Sequence, residues 1–192
     1  MSDIVELDRL AMAWTAELIA KAKPEDWPAP TPCGPWTLME LIEHLVAQNK
    51  GFAAAASGGA QDKADWVPRR LEEDPHAAFV ASATEVTAAF GSIDEQVYLA
   101  EFGRAFPAKI AMGFHFVDYL AHGWDVARSL GLPDEPDPAL TEAGMAIAER
   151  VPNEPPSRGP GAAFAYRVEV ADTASPHQRL IGLLGRSPEW TR

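Results

Sequence analysis

An all-α fold, a four-helix bundle with an additional C-terminal helix and an irregular tail, is what this sequence predicts. Three observations carry the prediction. Four long stretches place apolar residues at helical spacing. Capping residues or prolines mark where these stretches begin, and glycine or proline marks where they stop. Strand-like alternation is confined to one short segment near the end of the chain.

The first helix runs from about Ile4 to Ala22, with Leu7, Leu10, Trp14, Leu18 and Ile19 near helical spacing. The proline-rich connection from Pro24 to Pro35 breaks it. Thr37 opens the second helix: its hydroxyl can cap while Glu40 reaches back, and the helix continues to about Ala56, before Gly58-Gly59. Asp74-Pro75 starts the third, which carries Phe79, Val80, Val86 and Phe90 and stops at Gly91. The fourth runs from near Pro107 to about Leu130, with Gly131 as its stop. A fifth begins at Asp137-Pro138 and fades by Val151. Prolines and glycines then mark an irregular segment, Phe164 to Val170 alternates as a short extended piece, and Pro176 to Gly185 forms the last helix.

The chain has 192 residues, enough for one self-sufficient core, so residues 1–192 are read as a single domain. The bundle spans about 4–151 and the tail about 152–192. Apolar residues at 47% and charged residues at 23% match an ordinary globular composition. A net charge of −12, with 16 scattered Lys and Arg, argues against nucleic acid and against anionic membrane surfaces. No apolar run approaches the roughly 18 residues a membrane helix needs. Met1 to Glu6 has neither a basic nor an apolar leader character, and a cytoplasmic protein is expected. Cys33 stands alone, which excludes an internal disulfide and any multi-cysteine zinc site.

Candidate chemistry concentrates on the fourth helix. Asp118-Tyr-Leu-Ala-His122 puts a carboxylate and an imidazole one turn apart on the same side. His115, Asp118, His122 and Asp125 share a stripe about 80° wide at 100° per residue. It is bordered by Met112, Tyr119 and Val126 and holds no lysine, so two readings stand: a solvated polar face, or a buried stripe that must be paired or bound to a cation. A third ligand from a neighbouring helix would complete two histidines and one carboxylate, an open set typical of catalytic metals. His44, among Leu41, Ile42, Leu45 and Val46, is either that ligand or a hydrogen-bonded core histidine. Ala47 and Gly51 on its side are small enough to leave a pocket, and Glu40 is either a fourth ligand or simply the capping acid.

Cys33 precedes a helix N-terminus, a place where a thiol can become nucleophilic. Because His44 lies two turns inside the helix, at 1.5 Å rise per residue, Cys33 is expected roughly 10 Å or more from the metal unless the proline-rich loop folds back over the bundle mouth. Trp27, Trp36, Trp66 and Trp124 read as core or pocket wall, and His76 and His177 lack ligand spacing. Neither a nucleotide-binding glycine fingerprint nor a serine nucleophile elbow is present.

Thr31-Pro-Cys-Gly-Pro-Trp-Thr-Leu-Met-Glu-Leu-Ile-Glu-His-Leu45 resembles the loop and second helix of the mycothiol-dependent maleylpyruvate isomerase-like proteins, within the DinB-like superfamily. Asp118-Tyr-Leu-Ala-His-Gly-Trp-Asp-Val-Ala127 is similar to their second motif, and Arg179-Leu-Ile-Gly-Leu-Leu-Gly185 to their closing segment. The resemblance implies a DinB-like four-helix bundle and a divalent metal held by His44, Asp118 and His122, with water in an open position. It implies zinc, with nickel or another transition metal as the alternative, and mycothiol or a similar low-molecular-weight thiol. The family's acid is usually Glu; Asp118 is one methylene shorter, which is expected either to alter the metal preference or to draw the ion toward the fourth helix.

The expected function is therefore a thiol-dependent transferase or isomerase acting on a small electrophile. A metal-dependent hydrolase, a non-catalytic metal-binding stress-response protein and an apolar small-molecule binder are the rivals. The assembly is left open by the sequence, a homodimer included.

Overall fold

Each helix starts where a nearby side chain can take up N–H groups that have no partner within the helix. The computed structural model describes residues 3–192 except 73, 94, 156, 161 and 163. Asp3 caps α1 (Ile4–Ile19), accepting from the Val5 N–H at 3.1 Å. Thr37 caps α2 (Leu38–Ala56) in a reciprocal box: its Oγ1 accepts from the Glu40 N–H at 3.3 Å, while Glu40 Oε2 accepts from the Thr37 N–H at 2.8 Å. Asp74 caps α3 (Pro75–Phe90) through the Ala77 N–H at 2.8 Å. Thr37→Ala removes the hydroxyl that accepts from the Glu40 N–H while keeping the backbone N–H that donates to Glu40, and is expected to lower stability by about 1 kcal/mol, read as a reduced urea midpoint at unchanged slope.

α4 (Ala108–Leu130) is the longest helix and the most buried. Gly131 ends it at φ 66°, where the Leu132 N–H reaches back to the Ala127 carbonyl at 2.9 Å and the Gly131 N–H to that of Arg128 at 3.2 Å. α5 (Pro138–Ala148) and α6 (Pro176–Leu183) complete the helices, each with proline in its first turn. α1 packs chiefly along α4 and also on α3, while α2 packs on α3. α5 contacts α4, α6 and α1. The core runs through Leu41, Ile42 and Leu45 of α2, Phe79 of α3 and Phe116, Val117 and Leu120 of α4, all fully buried. α1 approaches α4 so closely that a Cβ on Gly123 would meet the Trp14 ring and lie 2.8 Å from Thr15 Oγ1.

The all-α class holds, with one addition. β1 (Gln96–Leu99) and β2 (Arg104–Pro107) form an antiparallel hairpin between α3 and α4, in the register Gln96↔Pro107 to Leu99↔Arg104. Val97, Leu99 and Phe106 turn into the core. Strands of four residues are too short for alternation to stand out in a sequence window, so the hairpin leaves no periodic signal. The alternation from Phe164 to Val170 forms no ladder: Phe164 makes an isolated bridge to Arg158, and the Val168 N–H donates to the Gly182 carbonyl at 2.9 Å. Several helices also end a few residues before the sequence suggests, α1 at Ile19, α5 at Ala148 and α6 at Leu183. Among the described residues no helix is long and apolar enough to cross a membrane.

Candidate metal centre

The capping box fixes the start of α2 and so places His44 nearly two turns inside it, facing α4. On α4 the spacing of four brings Asp118 and His122 to the same side, with Asp118 Oδ1 3.4 Å from His122 Nε2. The His44 and His122 rings meet edge to face at a centroid distance of 5.2 Å. One donor atom from each of His44, Asp118 and His122 lies within 4.8 Å of the others. Ligands at about 2.0–2.2 Å from an ion stand roughly 3–4 Å from one another, so small side-chain rotations close this trio on a single cation. Asp118 keeps a quarter of its side-chain exposure, which leaves the site open on that flank. Trp36 covers the other flank, its ring 4.7 Å from that of His44.

Behind this trio stands a chain of support. Asp125 is fully buried, and its Oδ2 lies 2.9 Å from His122 Nδ1, which orients Nε2 toward Asp118. Asp125 is held in turn by Arg186, whose Nη2 donates to Oδ2 at 3.0 Å. Burial alone would raise the Asp125 carboxyl, but the Arg186 charge and then the His122 contact keep it below the usual carboxylate range. Burial likewise opposes the charged form of His122, yet Asp118, the Asp125 hydrogen bond and Cys33 together push it up to about 10. His44 goes the opposite way: burial, reinforced by His122, lowers it to about 4, with Asp118 acting against the shift. A cation at the trio competes with the proton on His122 for the same ring nitrogen.

Several expectations need correction. Cys33 is not remote. Its Sγ lies 3.6 Å from Arg186 Nη2, and Cys33, His122 and Asp125 form a second group of donor atoms within 4.8 Å of one another. The reason is the loop, which doubles back on itself. Thr31 N–H and Oγ1 both donate to the Trp36 carbonyl, at 3.2 and 2.9 Å, and the Cys33 N–H donates to Thr31 Oγ1 at 3.2 Å. That tight turn carries Cys33 back over the bundle mouth. Nor does Gly51 leave a pocket: the Trp66 ring fills the space, 2.5 Å from where a Cβ would stand. The Glu40 carboxylate is engaged by the backbone and hydroxyl of Thr37, both at 2.8 Å.

The four-residue stripe on α4 also divides. His115 turns into the core, where Nδ1 meets Asp8 Oδ1 at 2.7 Å and Nε2 meets Asn49 Oδ1 at 3.1 Å. Asn49 then donates to Ser82 Oγ at 2.9 Å, and the His115 ring stacks on Tyr119. Sequence reasoning requires partners for buried His115 and Asp125 but does not name Asp8, Asn49 or Arg186. A lone acid on the apolar side of the first helix and an arginine directly after the last helix are the only signals of them.

Residues 9–127 match the model of the mycothiol maleylpyruvate isomerase N-terminal domain. The chain belongs to that family. The matched stretch contains Cys33, His44, Asp118, His122 and Asp125, while Arg186 lies beyond it. Two uncharacterized proteins, from two strains of Mycobacterium tuberculosis, are each 32% identical to this family member over 172 residues, covering 90% of it and 91% of their own length. Crystal structures of the mycothiol-dependent maleylpyruvate isomerase, one of a mutant and one without that description, share its fold. The mutant aligns with a TM-score of 0.57 at 13% identity, and the other with 0.52 at 14%; each alignment covers 76% of this chain and 68% of the isomerase. At that identity the likeness is one of fold.

Proposed function

We propose that this protein binds one divalent metal through His44, Asp118 and His122 and is a thiol-dependent transferase or isomerase acting on a small electrophile. The observation that carries the reading is the convergence of those three donors, from two helices, at a site with one open flank. Two nitrogens and one carboxylate oxygen suit zinc, and they also suit nickel or another transition metal. When bound, such an ion supplies Lewis acidity that lowers the pKa of a thiol. Family membership points to mycothiol, or a similar low-molecular-weight thiol, as that partner.

The protein's own residues prepare the site. Asp125 fixes the His122 ring through Nδ1, so that Nε2 is presented in one orientation. Arg186, anchored by Asp125, puts a permanent positive charge beside Cys33, where it can pair with an anionic group entering the site. Trp36 shields one side of His44 from water.

A second reading has its own observation. Cys33 lies against Arg186 and beside His122, a setting in which the protein's own sulfur can serve as the nucleophile. One experiment separates them: turnover of a panel of small electrophiles by zinc-loaded protein, with and without added thiol, for the native chain and Cys33→Ser. The external-thiol reading expects turnover that requires both zinc and thiol and largely survives Cys33→Ser. Turnover lost in Cys33→Ser at normal metal content moves the reactive sulfur into the chain. Turnover with zinc alone, without thiol or Cys33, makes the protein a metal-dependent hydrolase. Metal binding without turnover on any electrophile leaves the non-catalytic metal-binding role.

A further inference from the structure

β1 packs against both α2 and α4, the two helices that carry the metal-ligating trio. Leu99 and Ala100 are buried there, and the chain then turns. The Phe102 N–H donates to the Leu99 carbonyl at 3.1 Å and the Gly103 N–H to that of Ala100 at 3.2 Å, with Gly103 at φ 63°. Phe102 pins this turn to α4, its ring 5.6 Å from that of Phe114 and 5.3 Å from that of Phe106. Phe114 and Asp118 stand one helical turn apart on the same side of α4, so the turn is held beside the open Asp118 flank. Glu101 sits in that turn and keeps access to solvent. The charged groups that act on it are Asp118 of α4 and Lys63 of the short 3₁₀ turn Lys63–Trp66.

Resting on the thiol-dependent reading above, we propose that Glu101 is the catalytic base of this site and takes the proton of the incoming thiol. The S–H bond breaks, the proton passes to a Glu101 carboxylate oxygen, and the sulfur keeps the electron pair that attacks the electrophile. The proton returns when the product or the thiol leaves, which restores the carboxylate. The other acids near the trio are already engaged. Asp118 is itself one of the trio, Asp125 is bound by Arg186 at 3.0 Å, and Glu40 accepts from the Thr37 N–H at 2.8 Å. Glu101 belongs to neither group of converging donors, so it is free to exchange a proton rather than hold the ion. Partial burial raises its carboxyl above the ordinary value, and the Asp118 charge adds to that while Lys63 acts against it. A raised carboxyl keeps an accepted proton better than an ordinary surface acid does.

The test uses the full zinc-loaded chain and Glu101→Gln, a substitution at an exposed turn. Calorimetry in buffers of different ionisation enthalpy counts the protons released when 2-mercaptoethanol binds at about pH 6, well below the usual thiol value of about 8.5. The native chain is expected to release few, because Glu101 retains them, and Glu101→Gln about one more per thiol bound. Turnover with 2-mercaptoethanol is expected to fall at least about ten-fold in Glu101→Gln, while 4-nitrothiophenol, which arrives ionised, should serve both chains equally. Zinc affinity should be the same in both. An equal proton count in the two chains, an equal loss of turnover with both thiols, or weaker zinc binding by Glu101→Gln overturns the proposal. Failure of the native chain to bind either thiol is a separate result: it removes the thiol-dependent reading and this proposal with it.

Discussion

Asp118→Ala is expected to lower metal affinity on the order of 100-fold or more, beyond the 10–100-fold usual for loss of a supporting partner. The carboxylate faces His122 Nε2 at 3.4 Å and supplies the only oxygen of the trio, so its loss leaves two imidazoles and no anionic ligand. Asp125→Ala makes the informative comparison. It removes the group that orients the His122 ring, so metal affinity should fall less than in Asp118→Ala. Its larger cost should be in stability, because Arg186 loses its partner at a position only 9% exposed. Metal titration of both variants decides the matter. Equal retention of metal in the two would show that Asp118 is a surface acid rather than a ligand.

Arg186→Met is expected to destabilise the fold by about 3–5 kcal/mol, the range for removing one partner of a buried ion pair. Asp125 is fully buried and, among the described residues, would be left with His122 as its only charged neighbour in hydrogen-bond contact. The effect should depend on pH. The folded pKa of Asp125 is depressed, so its contribution is fully present above the unfolded carboxyl value of about 3.9 and is lost as pH falls through the folded value. Without Arg186 that depression shrinks, so the part of the stability that is lost in acid should be smaller in the variant than in the native chain. Urea unfolding across the acid range reads both effects, and adding Asp125→Asn to the variant should return part of the loss. Native-like stability of Arg186→Met would mean that the ion pair contributes nothing.

The sequence carried the helices well because their signals are local. Thr37 with Glu40, Asp74 with Pro75, and Gly131 each act within one turn, and each sits where the structure uses it. Fixed helix starts also fix which side a residue faces, so the approach of His44 to Asp118 and His122 was foreseeable from two motifs. What escaped notice depends on distant partners. His115 and Asp125 share a stripe on α4, yet one is met by Asp8 from α1 and the other by Arg186 from beyond α6. Helical periodicity cannot distinguish those destinations. Cys33 was misplaced for a related reason. Rise per residue measures distance along a helix, whereas the Thr31–Trp36 turn reverses the chain before the helix begins. Gly51 shows the same limit on the scale of a single side chain, since its vacant space belongs to Trp66, fifteen positions along the chain.

The central claim is that one ion sits among His44, Asp118 and His122, rather than at the neighbouring Cys33, His122 and Asp125 set. Anomalous diffraction at the zinc edge, from crystals of zinc-loaded protein, tests this most directly. The account predicts a single strong peak, about 2.0–2.2 Å from a nitrogen of His44, a nitrogen of His122 and an oxygen of Asp118. A peak bonded to Cys33 Sγ and Asp125 but not to His44, or no peak in the bundle at all, contradicts it.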